Sequence, residues 1–315
     1  MATKKKIKKF PHVAIIILNW KGDPETLDCV ASLQKINYPN YTIVVVDNHS
    51  PDQSVAKLRQ RFPQLKIIVN PRNLGFAAGN NVGLRWAFAQ GADYFLLLNN
   101  DTEVEPDFLD HLVNYAENNS HLGMVGPLSC YYSQPELVQS AGIKFNPRAV
   151  EAQQIGVHQP RDQFTQPSAV PCLNGVALLV KREILSRVGL LDEDYFLYTE
   201  ELDWCYRLQK AGYQLALVPS AVIYHKIPLR GRQDNPFVLY HRLRGRVIFF
   251  RKHIPPYYFP FFFWSLLKLI FWPWRKPQKA RLNFKLTLAA LQGFFSGLRA
   301  PLTQPVILKE ETADG

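Results

Sequence analysis

Four short runs of apolar residues punctuate the first hundred residues of the chain, and each has the length of a buried β-strand. They are Val13–Leu18, Thr42–Val46, Leu65–Val69 and Tyr94–Leu98. Their nearly continuous apolar composition is typical of strands covered on both faces. The stretches between them predict helices at Thr26–Leu33, Ser54–Phe62 and Ala77–Ala89. This alternation predicts right-handed crossover connections and an α/β fold, with a mostly parallel central sheet flanked by helices.

The middle of the chain continues the pattern less regularly. We predict a helix at Glu105–Glu117 and further strands at Met124–Gly126, Cys172–Val180 and Ala216–Tyr224. Residues 131–171 are polar and proline-rich, which predicts long loops or a small hairpin. The sequence assigns no chemistry to that segment.

After Arg230 the composition becomes basic and aromatic. Tyr240–Lys252 predicts a basic helix, and Ile254–Trp274 is almost wholly apolar, close to the ~20 residues of a membrane-spanning helix. Lys268 and four prolines within that segment disfavour a span. We therefore expect a helix that lies in a membrane interface, with a spanning helix and packing against the preceding domain as the alternatives.

The last part of the chain predicts a second amphipathic helix at Leu282–Leu298. One stripe of it is apolar and comprises Phe284, Leu288, Leu291, Phe295 and Leu298. In the helix before it, Ser265, Lys268 and Trp272 recur at helical spacing, with Arg275 and Lys276 following. This pattern favours a membrane surface as the partner of residues 229–315.

Polar side chains follow three of the predicted strands. Asn19 follows the first, Asp47 the second and Asn99-Asn100-Asp101 the fourth, while the third leads into Arg72 and Asn73. Any one of these, taken alone, has the Asx turn as its structural alternative. Because the carboxyl ends of parallel strands share one edge of a sheet, we expect the group to converge on one ligand.

The glycines exclude two common nucleotide-binding motifs. Gly75, Gly79 and Gly83 are spaced G-x-x-x-G-x-x-x-G after the third strand, so the dinucleotide fingerprint G-x-G-x-x-G is absent, as is G-x-x-x-x-G-K-[ST]. A phosphate-bearing ligand would then need another source of positive charge. A divalent metal ion held by Asp101 is the natural candidate.

Six carboxylates are concentrated before and within one predicted helix start. They are Asp192, Glu193, Asp194, Glu200, Glu201 and Asp203. Acidic residues stabilise a helix amino terminus, which accounts for one or two of the last three. It accounts poorly for all three together. Glu200 and Asp203 share a helix face, whereas Glu201 points elsewhere, and a carboxylate here is a candidate general base.

The charge distribution and the cysteine content indicate the cellular compartment and the kind of surface that the protein contacts. The chain has a formal net charge of +11, with five lysines between Lys4 and Lys9 and most of the remaining excess after Leu229. Basic flanks around an aromatic segment indicate an anionic membrane surface rather than nucleic acid. The four cysteines lie far apart, which predicts neither a disulfide framework nor a zinc site. We expect a cytoplasmic catalytic part, since the first apolar run is too short for a signal peptide.

Six motifs, in order, give the chain a family resemblance. They are VAIIILNWKG, VVVDNHSPD, NPRNLGFAAGNNVGL, LLLNND, NGVALLVKREIL and YTEELDWCYRLQKAGY. From about Val13 to His225 the sequence resembles family 2 glycosyltransferases of the GT-A fold, and most closely bacterial rhamnosyltransferase-like enzymes of surface polysaccharide synthesis. The resemblance implies a nucleotide-diphosphate sugar donor, a divalent Mn²⁺ or Mg²⁺ ion and a lipid-linked glycan acceptor at the inner membrane face.

The same resemblance implies a role for each motif. The donor would be bound by Asn19, Asp47, Arg72, Asn73, Gly75, Asn80, Asn100, Asn174 and Gly175, and the metal by Asp101, His225 and Asn99. Asn99 departs from the family, because many relatives have an aspartate there. Glu201 is the predicted base, where relatives carry an aspartate; Asp203 is its rival and Glu200 its neighbour.

The predicted organisation is a basic tail at 1–10, a GT-A domain at 11–228 and a membrane-associating helical region at 229–315. The predicted function is an inverting transfer of a sugar, rhamnose from dTDP-rhamnose by the resemblance, to a lipid-linked or polysaccharide acceptor. Two alternatives are a sugar-nucleotide pyrophosphorylase and a non-catalytic, membrane-bound nucleotide-sugar or glycan-binding subunit. Asn19–Gly22 is too short for the phosphate loop of a pyrophosphorylase.

Overall fold

The computed structural model describes residues 10–229, 235–271 and 280–309. The basic amino-terminal residues 1–9 lie outside this range, as do Trp272, Arg275 and Lys276. What the sequence predicts for them stays a prediction.

Strands and helices alternate through the first hundred residues, as predicted. The strands are β1 (Val13–Asn19), β2 (Tyr41–Asp47), β3 (Lys66–Val69), β4 (Tyr94–Asn99), β5 (Thr102–Val104), β6 (Leu122–Tyr131), β7 (Gln134–Ser140), β8 (Ile143–Asn146), β9 (Glu151–Gln154), β10 (Ser168–Ala169), β11 (Ala177–Lys181) and β12 (Gln214–His225). The helices are α1 (Glu25–Leu33), α2 (Ser54–Arg61), α3 (Gly75–Ala89), α4 (Phe108–Asn118), α5 (Arg182–Arg187), α6 (Glu200–Lys210), α7 (Pro236–His253), α8 (Phe259–Phe271) and α9 (Ala280–Arg299).

The central sheet is mixed, with a parallel half built by the first four strands. Its order is β10-β12-β6-β11-β4-β1-β2-β3. Strands β4, β1, β2 and β3 run parallel, whereas β11 is antiparallel to both β4 and β6. The register pairs Asn19 with Asp47 and Leu18 with Asn99, so the predicted polar strand ends do lie at one edge.

Both faces of the sheet are covered, which explains the continuous apolar runs. Ile16 and Leu97 pack with α3 and α5 on one face, and Ile15 and Leu96 pack with α1 and α4 on the other. Ile15 and Ile16 are fully buried, and each such side chain contributes about 1.5–3 kcal/mol through removal from water.

The prediction was less accurate between residues 120 and 181. Strand β6 spans ten residues, all buried, although the sequence indicates only three. The segment after it contains β7 and the predicted small hairpin, formed by β8 and β9. The predicted strand Cys172–Val180 is wrong in its first half, because Asn174 and Gly175 form a turn and β11 begins at Ala177.

The carboxyl-terminal helices pack directly on the preceding domain through α7. Lys252 forms ion pairs with Asp192 and Asp194 at 2.5 and 2.6 Å, and Arg244 donates a hydrogen bond to the Asp194 carbonyl oxygen at 2.6 Å. Helix α9 packs lengthwise against α7, and Gly293 fits against the Tyr240 carbonyl. Within the described ranges, no helix is both long and apolar enough to cross a membrane.

The predicted apolar stripe of α9 faces outward. All five of its residues are exposed, with Phe284 at 64% and Phe295 at 52%. Helix α8 adds Phe261 at 66% and Trp264 at 63% to the same class of exposed side chains. These exposed residues of α8 and α9 form what we term the aromatic face.

Candidate active site

The ends of β1 and β2 are joined by buried hydrogen bonds. The Asn19 amide nitrogen donates to Oδ1 of Asp47 at 2.7 Å and to Oγ of Ser54 at 2.9 Å, while its oxygen accepts from Thr26 at 2.6 Å. The other oxygen of Asp47 accepts from the Ser50 backbone at 3.0 Å. Asn19 is fully buried and Asp47 is 1% exposed, so in this conformation both hold the strand-end loops together.

Asn48 organises the loop that follows β3. Its amide nitrogen donates to the Asn73 side chain and the Gly75 carbonyl at 2.9 Å each, and its oxygen accepts from Asn70 at 3.1 Å and Leu74 at 2.9 Å. Asn48 was not predicted as a functional residue from the sequence. The available signal was its position directly after Asp47, at the end of a buried strand.

The loop after β3 docks on the acidic segment more than a hundred residues later. Gly75 has a φ of +81°, and a Cβ there would lie 2.4 Å from the Phe196 carbonyl oxygen. That carbonyl accepts a hydrogen bond from the Phe76 backbone at 2.6 Å. Asn81 adds hydrogen bonds to the Leu191 backbone and to Glu193. The predicted donor-binding loop and the predicted catalytic segment therefore adjoin each other.

The remaining predicted donor-binding residues differ in accessibility. Arg72 is exposed and Asn73 is half-buried, whereas Asn80 is 2% exposed and donates to the Phe76 carbonyl at 2.9 Å. Asn100 is half-buried and donates to Thr26 at 2.8 Å. The Arg72 side chain is thus accessible, the Asn73 oxygen accepts from Asn48 and the Gly75 backbone, and Asn80 supports the helix start.

Asp101 and His225 are brought together across 124 residues of sequence. His225 pairs with Thr102 where β12 runs antiparallel to β5, and the Lys226 backbone donates to the Asp101 carbonyl at 2.8 Å. As a result, Nε2 of His225 lies 3.1 Å from Oδ1 of Asp101. The His225 side chain is 7% exposed, and its ring nitrogens make no hydrogen bond of ordinary geometry within the described part of the chain.

This pair fits a divalent cation. A buried imidazole without a directed hydrogen bond, next to a carboxylate oxygen, presents one nitrogen and one oxygen ligand of the kind that Mn²⁺ and Mg²⁺ accept. Asn99 is half-buried at the start of the same turn. No group of three or more His, Cys, Asp or Glu residues that could hold a metal occurs among the described residues. A two-residue protein site leaves the other coordination positions to phosphate and water.

One turn links this pair to the predicted base. The Asn99 backbone donates to the Val176 carbonyl at 2.9 Å, where β11 begins beside the end of β4. Asn174 accepts from the Val176 backbone at 3.3 Å, which closes the turn. A Cβ on Gly175 would lie 3.4–3.8 Å from Cβ, Cγ and Cδ of Glu201, so the turn packs directly against that side chain.

Burial raises the pKa values of the two glutamates at the start of α6. Burial raises the pKa of Glu200 well above 4.5, and the negative charge of Glu201 raises it further. Burial also raises the pKa of Glu201, although nearby backbone amides and Arg242 partly offset it. Two adjacent carboxyls of this kind do not both ionise readily, and the larger rise in pKa at Glu200 favours the proton there, which makes Glu201 the candidate base.

The turn before α6 is held in a strained conformation. Tyr198 and Thr199 have φ values of +66° and +81°, which cost side-chain-bearing residues of order 1–3 kcal/mol each. Gly245 of α7 packs against this turn, since a Cβ there would lie 2.6 Å from Oγ1 of Thr199. Strain of this type is concentrated at functional sites.

Asp203 faces away from this turn and into the protein. It is fully buried, accepts from Arg207 at 2.7 Å and Tyr195 at 3.4 Å, and lies 2.6 Å from Nε2 of His253 on α7. Burial alone would raise the pKa of Asp203, but Arg207 and His253 outweigh it and lower that pKa below 3.8. The geometry gives Asp203 a structural role and favours Glu201 as the base.

Polar strand ends, the Asp101–His225 pair and the adjacent Glu201 carboxylate together have the composition expected of a sugar-nucleotide-dependent transferase. The glycosyl transferase family 2 model matches residues 13–189, which is more than half of the chain. The chain therefore belongs to glycosyltransferase family 2.

Individual relatives agree with this assignment. The N-acetylglucosaminyl-diphospho-decaprenol L-rhamnosyltransferase of Mycobacterium tuberculosis is 27% identical over 264 residues, covering 76% of this chain and 84% of that protein. The dTDP-rhamnosyl transferase RfbF of Shigella flexneri is 24% identical over 242 residues, covering 74% and 79%.

Solved structures establish the fold. GalNAc-T7, crystallised with UDP, GalNAc and Mn²⁺, superposes with a TM-score of 0.63 at 17% identity. The superposition covers 93% of this chain but only 56% of that one. The predicted GT-A fold is confirmed, and the protein is a glycosyltransferase that uses a nucleotide-sugar donor.

Proposed function

We propose that the protein transfers L-rhamnose from dTDP-rhamnose, with inversion, to a hydroxyl of a lipid-linked saccharide. The observation that carries the proposal is the junction of the Asp101–His225 pair with Glu201 through the Asn174–Val176 turn. The choice of sugar and acceptor is supported by the two rhamnosyltransferase relatives, one of which is named for a diphospho-decaprenol substrate.

In this proposal the donor lies along the carboxyl ends of β1 to β4. Arg72 and Asn73 would contact the donor, and the loops held by Asn19, Asp47 and Asn48 would shape the base pocket. A divalent ion held by Asp101 and His225, with Asn99 beside them, would supply Lewis-acid stabilisation of the departing diphosphate.

Glu201 would take the proton from the acceptor hydroxyl as that oxygen attacks the anomeric carbon. The acceptor oxygen gains the new bond to carbon, while the bond to the diphosphate breaks with its electron pair on the leaving group. Because attack and departure occur on opposite faces of the sugar, configuration inverts. A positioned base of this kind contributes about 10²–10⁴-fold to rate.

The aromatic face supports a site at a membrane surface. Aromatic residues exposed on amphipathic helices, with Lys268, Lys285 and Arg299 exposed among them, have the composition of helices that lie in a lipid interface. Catalysis at the inner face of the membrane would bring the site to an acceptor anchored there.

A donor screen tests the proposal. The purified chain is incubated with dTDP-rhamnose, UDP-GlcNAc, UDP-galactose and GDP-mannose, each with Mn²⁺, with Mg²⁺ and with EDTA. The proposal expects metal-dependent release of dTDP, and transfer to a GlcNAc-diphosphate-prenol acceptor with an α-linked product. Preferred turnover of another sugar nucleotide would reject rhamnose, and a donor bound but never cleaved would favour the non-catalytic alternative. Formation of dTTP and rhamnose 1-phosphate when inorganic pyrophosphate is added would indicate pyrophosphorylase chemistry.

A further inference from the structure

A cleft of about 570 Å³ lies between the β8–β9 hairpin and the first turns of α8, outside the candidate active site. Its volume falls within the range of small-molecule binding sites. The side chains that decide its chemistry are Arg148, Glu151, Tyr258, Trp264, Ser265 and Lys268. We term this the hairpin cleft.

The hairpin cleft is positively charged. Arg148 and Lys268 are exposed, and neither forms an ion pair with another described residue; the guanidinium of Arg148 lies 5.0 Å from the centre of the Tyr258 ring. Glu151 is the carboxylate among the lining residues. Two cationic side chains that form no ion pair with the described residues, beside a single carboxylate, favour an anionic ligand with more than one negative charge.

A third cationic side chain is buried behind the residues that line the cleft. Arg246 of α7 donates to the Ala149 carbonyl at 2.8 Å and to Oγ of Ser265, and its Nε is buried without a hydrogen bond to the described residues. Burial lowers the pKa of Arg246 to about 10, so it stays charged at neutral pH. Ser265 in turn donates to the Ala149 carbonyl at 3.1 Å. This wall is therefore fixed and cationic.

The hairpin cleft and the candidate active site share one turn of α7. Gly245 packs against Thr199 and the Tyr198 carbonyl, next to Glu200 and Glu201. The following residue, Arg246, packs against the cleft wall. Consecutive residues lie on neighbouring faces of a helix, so α7 stands between the two sites and contacts the surroundings of both.

The hairpin cleft includes two residues of the aromatic face. Phe261 and Trp264 line the cleft and are among the most exposed aromatic residues of α8. A ligand in the cleft would thus have its charged part near Arg148 and Lys268 and a hydrocarbon part along α8. That division matches a lipid diphosphate better than a free nucleotide.

We propose that the hairpin cleft binds the diphosphate of a prenyl-diphosphate-linked acceptor, and so sets the position of its sugar next to Glu201. This inference rests on the proposed function, which names the acceptor class but no site for it. Arg148 and Lys268 bind the diphosphate, while Tyr258 and Trp264 contact the first prenyl units.

Vesicle flotation with the full chain tests this proposal without requiring turnover. The vesicles contain phosphatidylcholine alone, phosphatidylcholine with phosphatidylglycerol, or phosphatidylcholine with undecaprenyl diphosphate at matched charge. The cleft variant is Arg148→Gln/Lys268→Gln. The control is Lys285→Gln/Arg299→Gln, which removes the same charge from exposed positions of α9. Inorganic pyrophosphate is added as a soluble competitor.

We expect the wild type to bind undecaprenyl diphosphate vesicles at least 10-fold more tightly than phosphatidylglycerol vesicles, and only the cleft variant to lose that preference. Equal losses in the two variants, or no preference in the wild type, would overturn the proposal in favour of general anionic attraction. Competition by millimolar pyrophosphate that abolishes binding to the prenyl lipid but not to phosphatidylglycerol would support a diphosphate site. Full binding of the prenyl lipid at saturating pyrophosphate would contradict it.

Metal-dependent donor hydrolysis, measured in parallel, separates this proposal from the proposed function. The cleft variant should hydrolyse donor at the wild-type rate, because Arg148 and Lys268 lie outside the donor pocket. If the wild type does not hydrolyse the donor but still binds undecaprenyl diphosphate vesicles selectively, the proposed function is rejected and the lipid-binding site is supported. Loss of hydrolysis in the cleft variant alone would show that the cleft belongs to the donor site, and would overturn the inference.

Discussion

The backbone nitrogen of Asn99 donates a hydrogen bond to the carbonyl oxygen of Val176 at 2.9 Å. Through this contact the end of a parallel strand, which leads to Asp101, meets the turn that packs against Glu201. The antiparallel β11 makes the meeting possible, because it begins where β4 ends. The predicted metal ligand Asp101 and the predicted base Glu201 are thus linked through the adjacent strands β4 and β11.

Removing a ligand from the Asp101–His225 pair should weaken metal binding. We expect Asp101→Asn and His225→Ala each to raise the Mn²⁺ concentration for half-maximal donor hydrolysis by at least about 10-fold, since the first removes the charge of a predicted ligand and the second removes a predicted ligand. Isothermal titration of Mn²⁺ in the presence of dTDP measures the same change without catalysis.

Asp162→Asn and His121→Ala are matched controls, because both residues are exposed. An unchanged metal dependence in His225→Ala would show that His225 is not a metal ligand. Of the pair, Asp101 alone would then remain assigned to the metal.

The raised pKa of Glu201 predicts the acid limb of the pH–rate profile. The base must be deprotonated, so kcat should rise with pH through a pKa above the usual 4.5 of a glutamate. In Glu201→Gln the residual rate should lack that limb. A limb that persists in the variant would assign the titration to another group.

Breaking the buried contacts of Asp203 should destabilise the fold. Asp203→Asn removes a charge paired with Arg207 and near His253, and loss of one partner of a buried pair costs about 3–5 kcal/mol. The exposed pair of Arg85 and Glu193 is the comparison, and Glu193→Gln should cost at most about 1 kcal/mol. Urea denaturation followed by circular dichroism measures both free energies of unfolding.

The pH dependence of that stability has a definite sign. Because the folded-state pKa of Asp203 lies below 3.8, its contribution is fully present above that value and is lost as the pH falls through the folded-state pKa. Asp203→Asn should therefore flatten the acid side of the stability profile. An unchanged acid limb would show that the charge of Asp203 does not stabilise the fold.

The α9 stripe should bind lipid rather than another part of the chain. Phe284→Ser/Phe295→Ser removes two residues that are more than half exposed, so we expect the Tm to change little and flotation with phosphatidylglycerol vesicles to fall by about 10-fold or more. The control, Phe10→Ser, changes a 39%-exposed phenylalanine at the opposite end of the described chain. A fall in Tm without loss of flotation would indicate packing instead.

The parallel half of the fold was predictable, because each of its strands is a short apolar run that ends in polar residues. The position of β11 was not predicted, although the Asn174-Gly175 dipeptide is a turn signal, because the run Cys172–Val180 is apolar on both sides of it. The length of β6 was not predictable either, because it depends on pairing with strands that are distant in the sequence. Its ten buried residues include Pro127 and two glycines, which are unusual inside a strand.

The residue types of the candidate site were predictable from the sequence, but the contacts that each side chain makes were not. Asp101 and His225 were placed together through resemblance, and the fold brings them to 3.1 Å. Helical spacing places Asp203 and Glu201 on different faces, but only the fold shows that Asp203 lies beside His253 and that Glu201 faces Gly175. That difference arises from the helical rotation between the two positions and from α7, whose His253 follows Asp203 by 50 residues.

The most direct test of the account compares turnover and donor binding in Glu201→Gln. The account predicts that kcat for rhamnosyl transfer falls by about 10²–10⁴-fold, while Mn²⁺-dependent binding of dTDP-rhamnose stays within about twofold of the wild type. Glu136→Gln, at an exposed position, should behave as wild type, and Glu200→Gln, which mimics a protonated carboxyl, should lose less than Glu201→Gln. Turnover near the wild-type level in Glu201→Gln would contradict the assignment of the base, and with it the convergence of metal pair and base on one sugar.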